Sequence, residues 1–163
     1  MKETILFAGF GGQGVVLMGK LIALAGMNEG REVTWLPSYG PEMRGGTASC
    51  VVVVSDELIG SPIIDQPRTA VIMNNPSLTK YEPSVETNGN ILINSSLVDL
   101  VPKRNDLKTF NIPCNQVADE LGNAKVANMV MLGAYVELTK AVKVESLKEA
   151  LAETLLAHRH DLL

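Results

Sequence analysis

The sequence has little cysteine. Cys50 and Cys114 are its two cysteines, and they are far apart in the chain and lie in apolar surroundings. They lack the C-x-x-C spacing of a metal or iron–sulfur site, and two scattered cysteines cannot hold a cluster. We therefore predict two free, buried thiols and no metal bound by this chain.

A basic excess and a long apolar run are also missing. The formal charge is −4, which disfavours nucleic acid and anionic membranes as partners. The apolar stretch within MKETILFAGF is cut by glycines after about five residues, and no segment approaches the roughly 20 apolar residues of a membrane span. We expect a cytoplasmic protein that contacts neither nucleic acid nor membrane.

Familiar catalytic motifs are absent as well. The sequence contains no G-x-S-x-G or H-E-x-x-H, and Lys20 lacks the preceding glycine pattern of a Walker A loop. His158 and His160 have no cysteine or acidic pair at ligand spacing, which indicates a solvated helix end rather than a metal site. Because no nucleophile can be paired with a base, we predict no catalytic residue in this chain alone.

What the sequence does have is a series of short apolar strands and helices, which alternate through the first half of the chain. Strands are predicted at residues 4–8, 32–36, 47–55, 69–73, 90–94 and 109–114. Helices are predicted at residues 13–30, 115–121, 126–141 and from Ser146 onward, with at most a short one within 75–89.

These elements predict one domain over residues 1–163, an α/β three-layer Rossmann-like fold with a mostly parallel sheet. The crossover rules place the second strand beside the first. Ser146 and Glu149 have capping-box spacing at the start of the last helix. The apolar helix at 126–141 is expected to be buried within the domain or against a partner.

The stretch ILFAGFGGQGVV carries the G-x-G-x-x-G spacing between the first strand and first helix. Such a turn brings bare backbone and a helix N-terminus to a phosphate, so Gly11, Gly12, Gln13 and Gly14 are candidate contacts for a phosphate, a pyrophosphate or coenzyme A. A complete dinucleotide site would also require an acidic residue after the second strand. The chain has Leu36, Pro37 and Ser38 there, none of which is acidic. The glycines are otherwise explained by the turn itself or by the approach of a neighbouring subunit.

The loop PSYGPEMRGG is the second unusual segment. Arg44 and Gly45 suit an anion, because guanidinium is a forked donor and glycine leaves its N–H accessible. Tyr39 is expected to stack on a base or to cap the core. An ion pair between Arg44 and Glu42 is the alternative. In a doubly wound sheet this loop and the glycine turn both lie at the carboxyl ends of the strands, where ligands bind.

Three motifs together resemble a known family: GFGGQGVVLMGKLIA, SYGPEMRGGTASCVVVVSD and LGNAKVANMVMLGAYVEL. In this order, from Ile5 to about Leu155, they are similar to the gamma subunit of the 2-oxoacid:ferredoxin oxidoreductases. That group contains pyruvate, 2-oxoisovalerate and 2-oxoglutarate synthases. The small, separate chain resembles the 2-oxoglutarate type most.

The resemblance implies a place in an assembly. Alpha and beta subunits would build the thiamine diphosphate and Mg²⁺ site, and iron–sulfur clusters would lie in the beta or a ferredoxin-like delta subunit. The complex would convert a 2-oxoacid and coenzyme A to acyl-CoA and CO2, with ferredoxin as electron acceptor. This chain, with its Rossmann-like gamma-type domain, would carry none of those cofactors and would be structural or assist coenzyme A binding. An independent dinucleotide-binding oxidoreductase is the alternative.

Overall fold

The computed structural model describes residues 1–39 and 46–160, with side chains as far as residue 156. This part of the chain contains six strands and five α-helices. The strands are β1 (Lys2–Phe10), β2 (Glu32–Tyr39), β3 (Thr47–Ser55), β4 (Thr69–Ile72), β5 (Asn90–Asn94) and β6 (Lys108–Ile112). The helices are α1 (Val15–Asn28), α2 (Asn75–Tyr81), α3 (Cys114–Glu120), α4 (Ala127–Thr139) and α5 (Val144–His160). Short 3₁₀ turns at Glu82–Ser84 and Ala124–Val126 complete the set.

The strands form one mixed sheet in the order β2-β3-β1-β4-β5-β6. β1, β4, β5 and β6 pair in parallel, and β3 is antiparallel to both of its neighbours. β2 therefore points the same way as β1, so β3 alone among the described strands runs against the others. This confirms an α/β domain in which most strands share one direction.

The predicted position of the second strand is wrong, because β3 lies between β1 and β2. Val52 of β3 is opposite Ile5 on one side and Trp35 on the other. Most of β3 is buried, whereas most of β2 is half-buried or exposed. The more apolar strand takes the interior place, and β2, which contains Pro37, forms the edge, where a missing backbone N–H is tolerated.

Helices cover both faces of the sheet, but unequally. One face packs alternate strand residues such as Phe7 and Val52 against α1, α3, α4 and α5. The other face packs Leu6 and Ile72 against Leu78 of α2 and against loop residues. The alternation of strand side chains between the faces follows from the pleat. Glycine at position 19 lets α1 approach β3 closely, because an added Cβ there would overlap Cys50 Sγ.

The predicted element ends differ from the observed ones by a few residues in most cases, and strands 47–55 and 90–94 match. The predicted capping box is wrong, because α5 begins at Val144 and Ser146 lies inside its first turn. The predicted strand to residue 114 stops at Ile112, since Pro113 precedes α3, which begins at Cys114.

Two further expectations concern burial. Cys50 and Cys114 are free and buried, as predicted, and burial raises the pKa of each thiol to about 12. α4 is buried along one side only, through Met131, Leu132 and Tyr135 among others. Within the described residues, no helix combines the length and apolar character needed to cross a membrane.

Candidate functional site

The glycine turn lies at the carboxyl end of β1 and leads directly into α1. Gly12 and Gly14 have positive φ angles of 93° and 76°, which glycine adopts without strain. The Gln13 side chain fastens this turn to β4: its Oε1 accepts a hydrogen bond from the Phe10 N–H at 2.6 Å, and its Nε2 donates to the Met73 carbonyl at 3.0 Å. Gln13 therefore shapes the turn through both ends of its amide.

The turn brings the beginnings of α1 and α4 together. Gly14 is the N-cap of α1, and a Cβ added to it would overlap the side-chain amide of Asn128 in the first turn of α4. Neither helix has a side-chain hydrogen bond at its N-cap or an acidic residue in its first turn. The positive ends of two helix dipoles are thus adjacent, and no carboxylate of either first turn neutralises them.

A cavity of about 490 Å³ opens beside this junction. Its polar lining comes from Gln13, Asn115, Lys125 and Asn128, and none of its described lining residues is acidic. Its volume is within the range of small-molecule sites. The remaining lining residues are small or apolar: Gly12, Met73, Leu97, Ala124 and Ala127.

A buried asparagine determines which end of the Asn115 amide is left unpaired. Asn94 is fully buried, and its Oδ1 accepts hydrogen bonds from the N–H groups of Ser96 and Cys114, both at 3.2 Å. Its Nδ2 must therefore face Asn115, and it donates to Asn115 Oδ1 at 2.8 Å. The unpaired end of Asn115 is accordingly the amide nitrogen, a donor.

The described ends of the segment PSYGPEMRGG, residues 37–39 and Gly46, lie at the carboxyl ends of β1 and β2. The Gly11 N–H donates to the Gly46 carbonyl at 2.8 Å, and Tyr39 pairs with Ala48 across β2 and β3. Tyr39 is 60% exposed, which does not support a role in capping the core. Arg44 and Gly45, two of the predicted contacts, lie outside the described residues, as does Glu42.

The topology gives no support to a complete dinucleotide site. Such a site has an acidic residue at the carboxyl end of the strand next to β1, where it binds the ribose of the dinucleotide. Here β3 intervenes, so the end of β2 is two strand spacings, about 10 Å, from β1. The end of β2 also offers Leu36, Pro37 and Ser38, none of which is acidic.

Sequence reasoning found the glycine turn but missed Asn115, Lys125 and Asn128 as cavity residues. Their signal was weak, because asparagine is common near helix starts and a single lysine is usually a solvated surface residue. Within the part of the chain that the structure describes, no group of three histidine, cysteine or acidic residues is placed to hold a metal. The side chains of His158 and His160 lie outside that part.

Comparison with known proteins gives a family match along nearly the whole chain. The family described as pyruvate ferredoxin/flavodoxin oxidoreductase matches residues 4–162. The chain is 41% identical over 154 residues to the ketoisovalerate oxidoreductase subunit VorA of Methanothermobacter marburgensis, covering 94% of this chain but 32% of that relative. It is 35% identical over 158 residues to the 2-oxoglutarate synthase subunit KorC of Methanocaldococcus jannaschii, covering 94% of this chain and 84% of KorC.

Solved structures agree with this match. The gamma subunit of a keto/oxoacid ferredoxin oxidoreductase from Geobacter sulfurreducens superposes with a TM-score of 0.79 at 31% identity, over 93% of this chain and 85% of that one. A chain of the 2-oxoglutarate:ferredoxin oxidoreductase from Magnetococcus marinus gives a TM-score of 0.87 at 26% identity, over 96% of this chain and 27% of that one. The chain therefore belongs to the pyruvate ferredoxin/flavodoxin oxidoreductase family, as one of its gamma-type chains.

Proposed function

We propose that this chain works as the gamma subunit of a multi-subunit 2-oxoacid:ferredoxin oxidoreductase. The complex would oxidatively decarboxylate a 2-oxoacid, join the acyl group to the sulfur of coenzyme A, release CO2 and pass the electrons to ferredoxin. The observation that carries this proposal is similarity over 84% of KorC, a relative of nearly the same length.

Among the 2-oxoacids, we favour 2-oxoglutarate. KorC relatives from four organisms are 34 to 37% identical to this chain, and the Magnetococcus enzyme was solved with 2-oxoglutarate, coenzyme A and succinyl-CoA bound. The higher identity of VorA, 41%, makes 2-oxoisovalerate the main competitor. Pyruvate follows, since the PorC subunit of Methanocaldococcus jannaschii is 29% identical.

In this proposal other chains hold the redox cofactors. Thiamine diphosphate with Mg²⁺ would supply the decarboxylation chemistry, and iron–sulfur clusters would carry the electrons. The described residues of this chain include no group suited to a metal, and both thiols lie in its core. Alpha and beta subunits, and a ferredoxin-like delta subunit where one exists, would be its partners in the cytoplasm.

The role of this chain in the complex would be structural support and help in binding coenzyme A. Gly12 and Gly14 would offer backbone N–H groups, Gly11 would let the ligand approach bare backbone while its N–H stays bonded to the Gly46 carbonyl, and Gln13 would hold the turn in shape. Tyr39, Arg44 and Gly45 would come from the adjacent loop. The position of the turn at a cavity with a lysine and no described acidic residue supports a negatively charged ligand there.

The test is an activity assay of the assembled complex with three 2-oxoacids. The complex is reconstituted with its partner chains, and ferredoxin reduction is followed with 2-oxoglutarate, 2-oxoisovalerate or pyruvate, with and without coenzyme A. We expect coenzyme A-dependent reduction with the highest kcat/KM for 2-oxoglutarate. A higher value for 2-oxoisovalerate would refute the substrate assignment, and no activity with any of the three would refute the function.

A second arm of the experiment addresses Arg44. If Arg44 helps to hold coenzyme A, Arg44→Ala raises the KM for coenzyme A and leaves the KM for the 2-oxoacid unchanged. An unchanged KM for coenzyme A would remove Arg44 from the proposed site. Arg68→Ala is a matched control, because Arg68 is exposed and lies at the amino end of β4. The glycine turn lies at the opposite, carboxyl ends of the strands.

The glycine spacing also favours one other function, that of an independent dinucleotide-dependent oxidoreductase. This alternative requires the isolated chain to bind NAD(P) or a flavin. Titration calorimetry with millimolar NAD(P) or flavin tests whether the isolated chain binds either cofactor. We expect no binding, because the acidic ribose contact is missing from the end of β2.

A further inference from the structure

A second cavity lies between α2 and the chain that follows β5, on the sheet face opposite the one that packs against α1 and α4. Its volume of about 560 Å³ is within the range of small-molecule sites. Its apolar wall consists of Leu78, Pro83, Leu100 and Val101. Its remaining lining residues are polar or charged: Thr79, Glu82, Lys103 and Arg104.

The Glu82 carboxylate is the buried polar group of this cavity. Glu82 is 7% exposed, and its Oε1 accepts the backbone N–H groups of Lys103 and Arg104, the latter at 2.8 Å. Its Oε2 makes no hydrogen bond and no ion pair with the residues that the structure describes. A buried carboxylate oxygen without a donor is costly, so a donor in the cavity would stabilise it.

The nearby cations do not neutralise this carboxylate. Arg104 donates from Nε and Nη2 to Asp106, and from Nη1 to the carbonyl oxygens of Glu82 and Val85 at 3.0 and 2.6 Å. Its side chain therefore fixes the backbone at Glu82, and Asp106 balances its charge. Lys103 is exposed and forms no ion pair within the described part of the chain. Glu82 is thus held in place for a cation from outside.

The number of available acceptors indicates which kind of cation fits. A guanidinium binds a carboxylate best through both oxygens, but Oε1 of Glu82 is already occupied by two backbone N–H groups. A compact ammonium can donate to the single remaining oxygen. Thr79, three residues before Glu82 and on the same side of the helical turn, lines the same cavity, and its hydroxyl can accept a second N–H.

We propose that this cavity binds a primary ammonium group carried on an apolar stem. Glu82 Oε2 is its ion-pair partner, the Thr79 hydroxyl accepts a second hydrogen bond, and Leu78 and Leu100 pack against the stem. Arg104 is a positioning residue. Two sources supply this chemistry, a free small amine and a lysine side chain of a partner chain, and only the second source rests on the proposed function.

The first experiment titrates the full, ¹⁵N-labelled chain with hexylamine and follows its amide signals by NMR. The N–H groups of Lys103 and Arg104 report on the site directly, because they donate to Glu82. We expect saturable shifts of both signals, and binding about tenfold or more weaker for 1-hexanol, which has the same stem without the charge. Hexylguanidine is also expected to bind more weakly than hexylamine. No saturable shift with hexylamine, or equal binding of 1-hexanol, would overturn the proposal.

Three variants test the named contacts. Glu82→Gln keeps an acceptor for the two backbone N–H groups and replaces Oε2 by a donor, so we expect hexylamine to bind about tenfold or more weakly. Thr79→Val, at an exposed position, is expected to weaken binding about threefold and serves if Glu82→Gln does not fold. Glu86→Gln makes the same charge change on an exposed side chain and is expected to bind as the unchanged chain does. Equal weakening by Glu86→Gln would overturn the site.

The second experiment identifies the source of the ammonium group in the assembled complex. If Glu82→Gln lowers the recovery of partner chains with the tagged chain, and Glu86→Gln does not, the site holds a partner lysine. If recovery is unchanged and the complex still binds radiolabelled hexylamine in equilibrium dialysis, the site takes a free amine. Unchanged recovery without hexylamine binding would overturn the proposal. Failure of the unchanged chain to form a complex would refute the proposed function, and the titration of the chain itself would still decide the site.

Discussion

Two glycines in one turn differ in what their surroundings allow. Gly12 and Gly14 both have a positive φ, but only Gly14 faces a neighbour, the Asn128 amide, whereas the space around Gly12 is open within 4 Å. At Gly12 a side chain meets backbone strain alone. At Gly14 it meets the strain and the packing of α1 against α4.

We therefore expect Gly14→Ala to cost more stability than Gly12→Ala. The left-handed backbone costs each variant about 1–2 kcal/mol, and turning the Asn128 amide out of the way adds roughly 0.5–1.5 kcal/mol in Gly14→Ala. Urea unfolding of the two variants measures the difference. Equal losses would show that α4 does not press on the turn.

Glu3 is a carboxyl group that the fold buries. It is 7% exposed, and its Oε1 accepts a hydrogen bond from Thr69 Oγ1 at 2.7 Å. Burial raises its pKa above the usual 4.5, and this effect outweighs the Thr69 hydrogen bond and the Arg68 guanidinium, which act to lower the pKa. The native state thus binds this proton more tightly than the unfolded chain does.

This pKa shift has a definite sign for stability. The contribution of Glu3 is fully present below pH 4.5 and is lost as the pH rises through the raised native pKa. Glu3→Gln, which keeps an acceptor for Thr69, is expected to be more stable than the unchanged chain at pH 8, with the difference shrinking towards pH 4. Thermal unfolding across this range, with the exposed Glu149→Gln as control, measures it. A constant difference would contradict the burial argument.

At the scale of elements, one side chain reinforces the backbone pairing at the carboxyl ends of β1 and β4. Gln13 links the Phe10 N–H to the Met73 carbonyl. Gln13→Ala removes both hydrogen bonds in a partly buried place, so we expect a loss of about 1–3 kcal/mol. Gln116→Ala, on an exposed face of α3, is expected to stay within about 0.5 kcal/mol of the unchanged chain. Urea unfolding compares the two, and similar losses would refute the role of Gln13.

Most elements were predictable because their signals are local. Glycine and proline separate short apolar runs such as TASCVVVVS and NILIN, and these two strands match their predicted bounds. The order of strands was not predictable in the same way. Whether β2 or β3 lies next to β1 depends on which strand buries more apolar surface in the finished sheet, and β3, with Val52, Val53 and Val54, does so.

The candidate site was predictable only in part for the same reason. The glycine turn is one continuous motif, so spacing alone located it. Asn115, Lys125 and Asn128 of the cavity come from the chain between β6 and the first turn of α4, and only the fold brings them to the glycine turn. The orientation of Asn115 depends in addition on Asn94, a contact that no sequence pattern encodes.

At the scale of the whole molecule, the described residues combine a cavity beside the glycine turn with two buried thiols. Its thiols are buried, and burial raises the pKa of each to about 12, far from the thiolate form at neutral pH. Its described residues hold no group suited to a metal. We propose that a chain of this kind supports a reaction whose cofactors lie in partner chains.

The most direct test of this account is affinity purification of the tagged chain from its native host. We predict that it brings down larger chains that contain thiamine diphosphate and iron–sulfur clusters, and that the purified assembly reduces ferredoxin in the presence of a 2-oxoacid and coenzyme A. Recovery of the chain as a stable, solitary monomer without that activity would contradict the account.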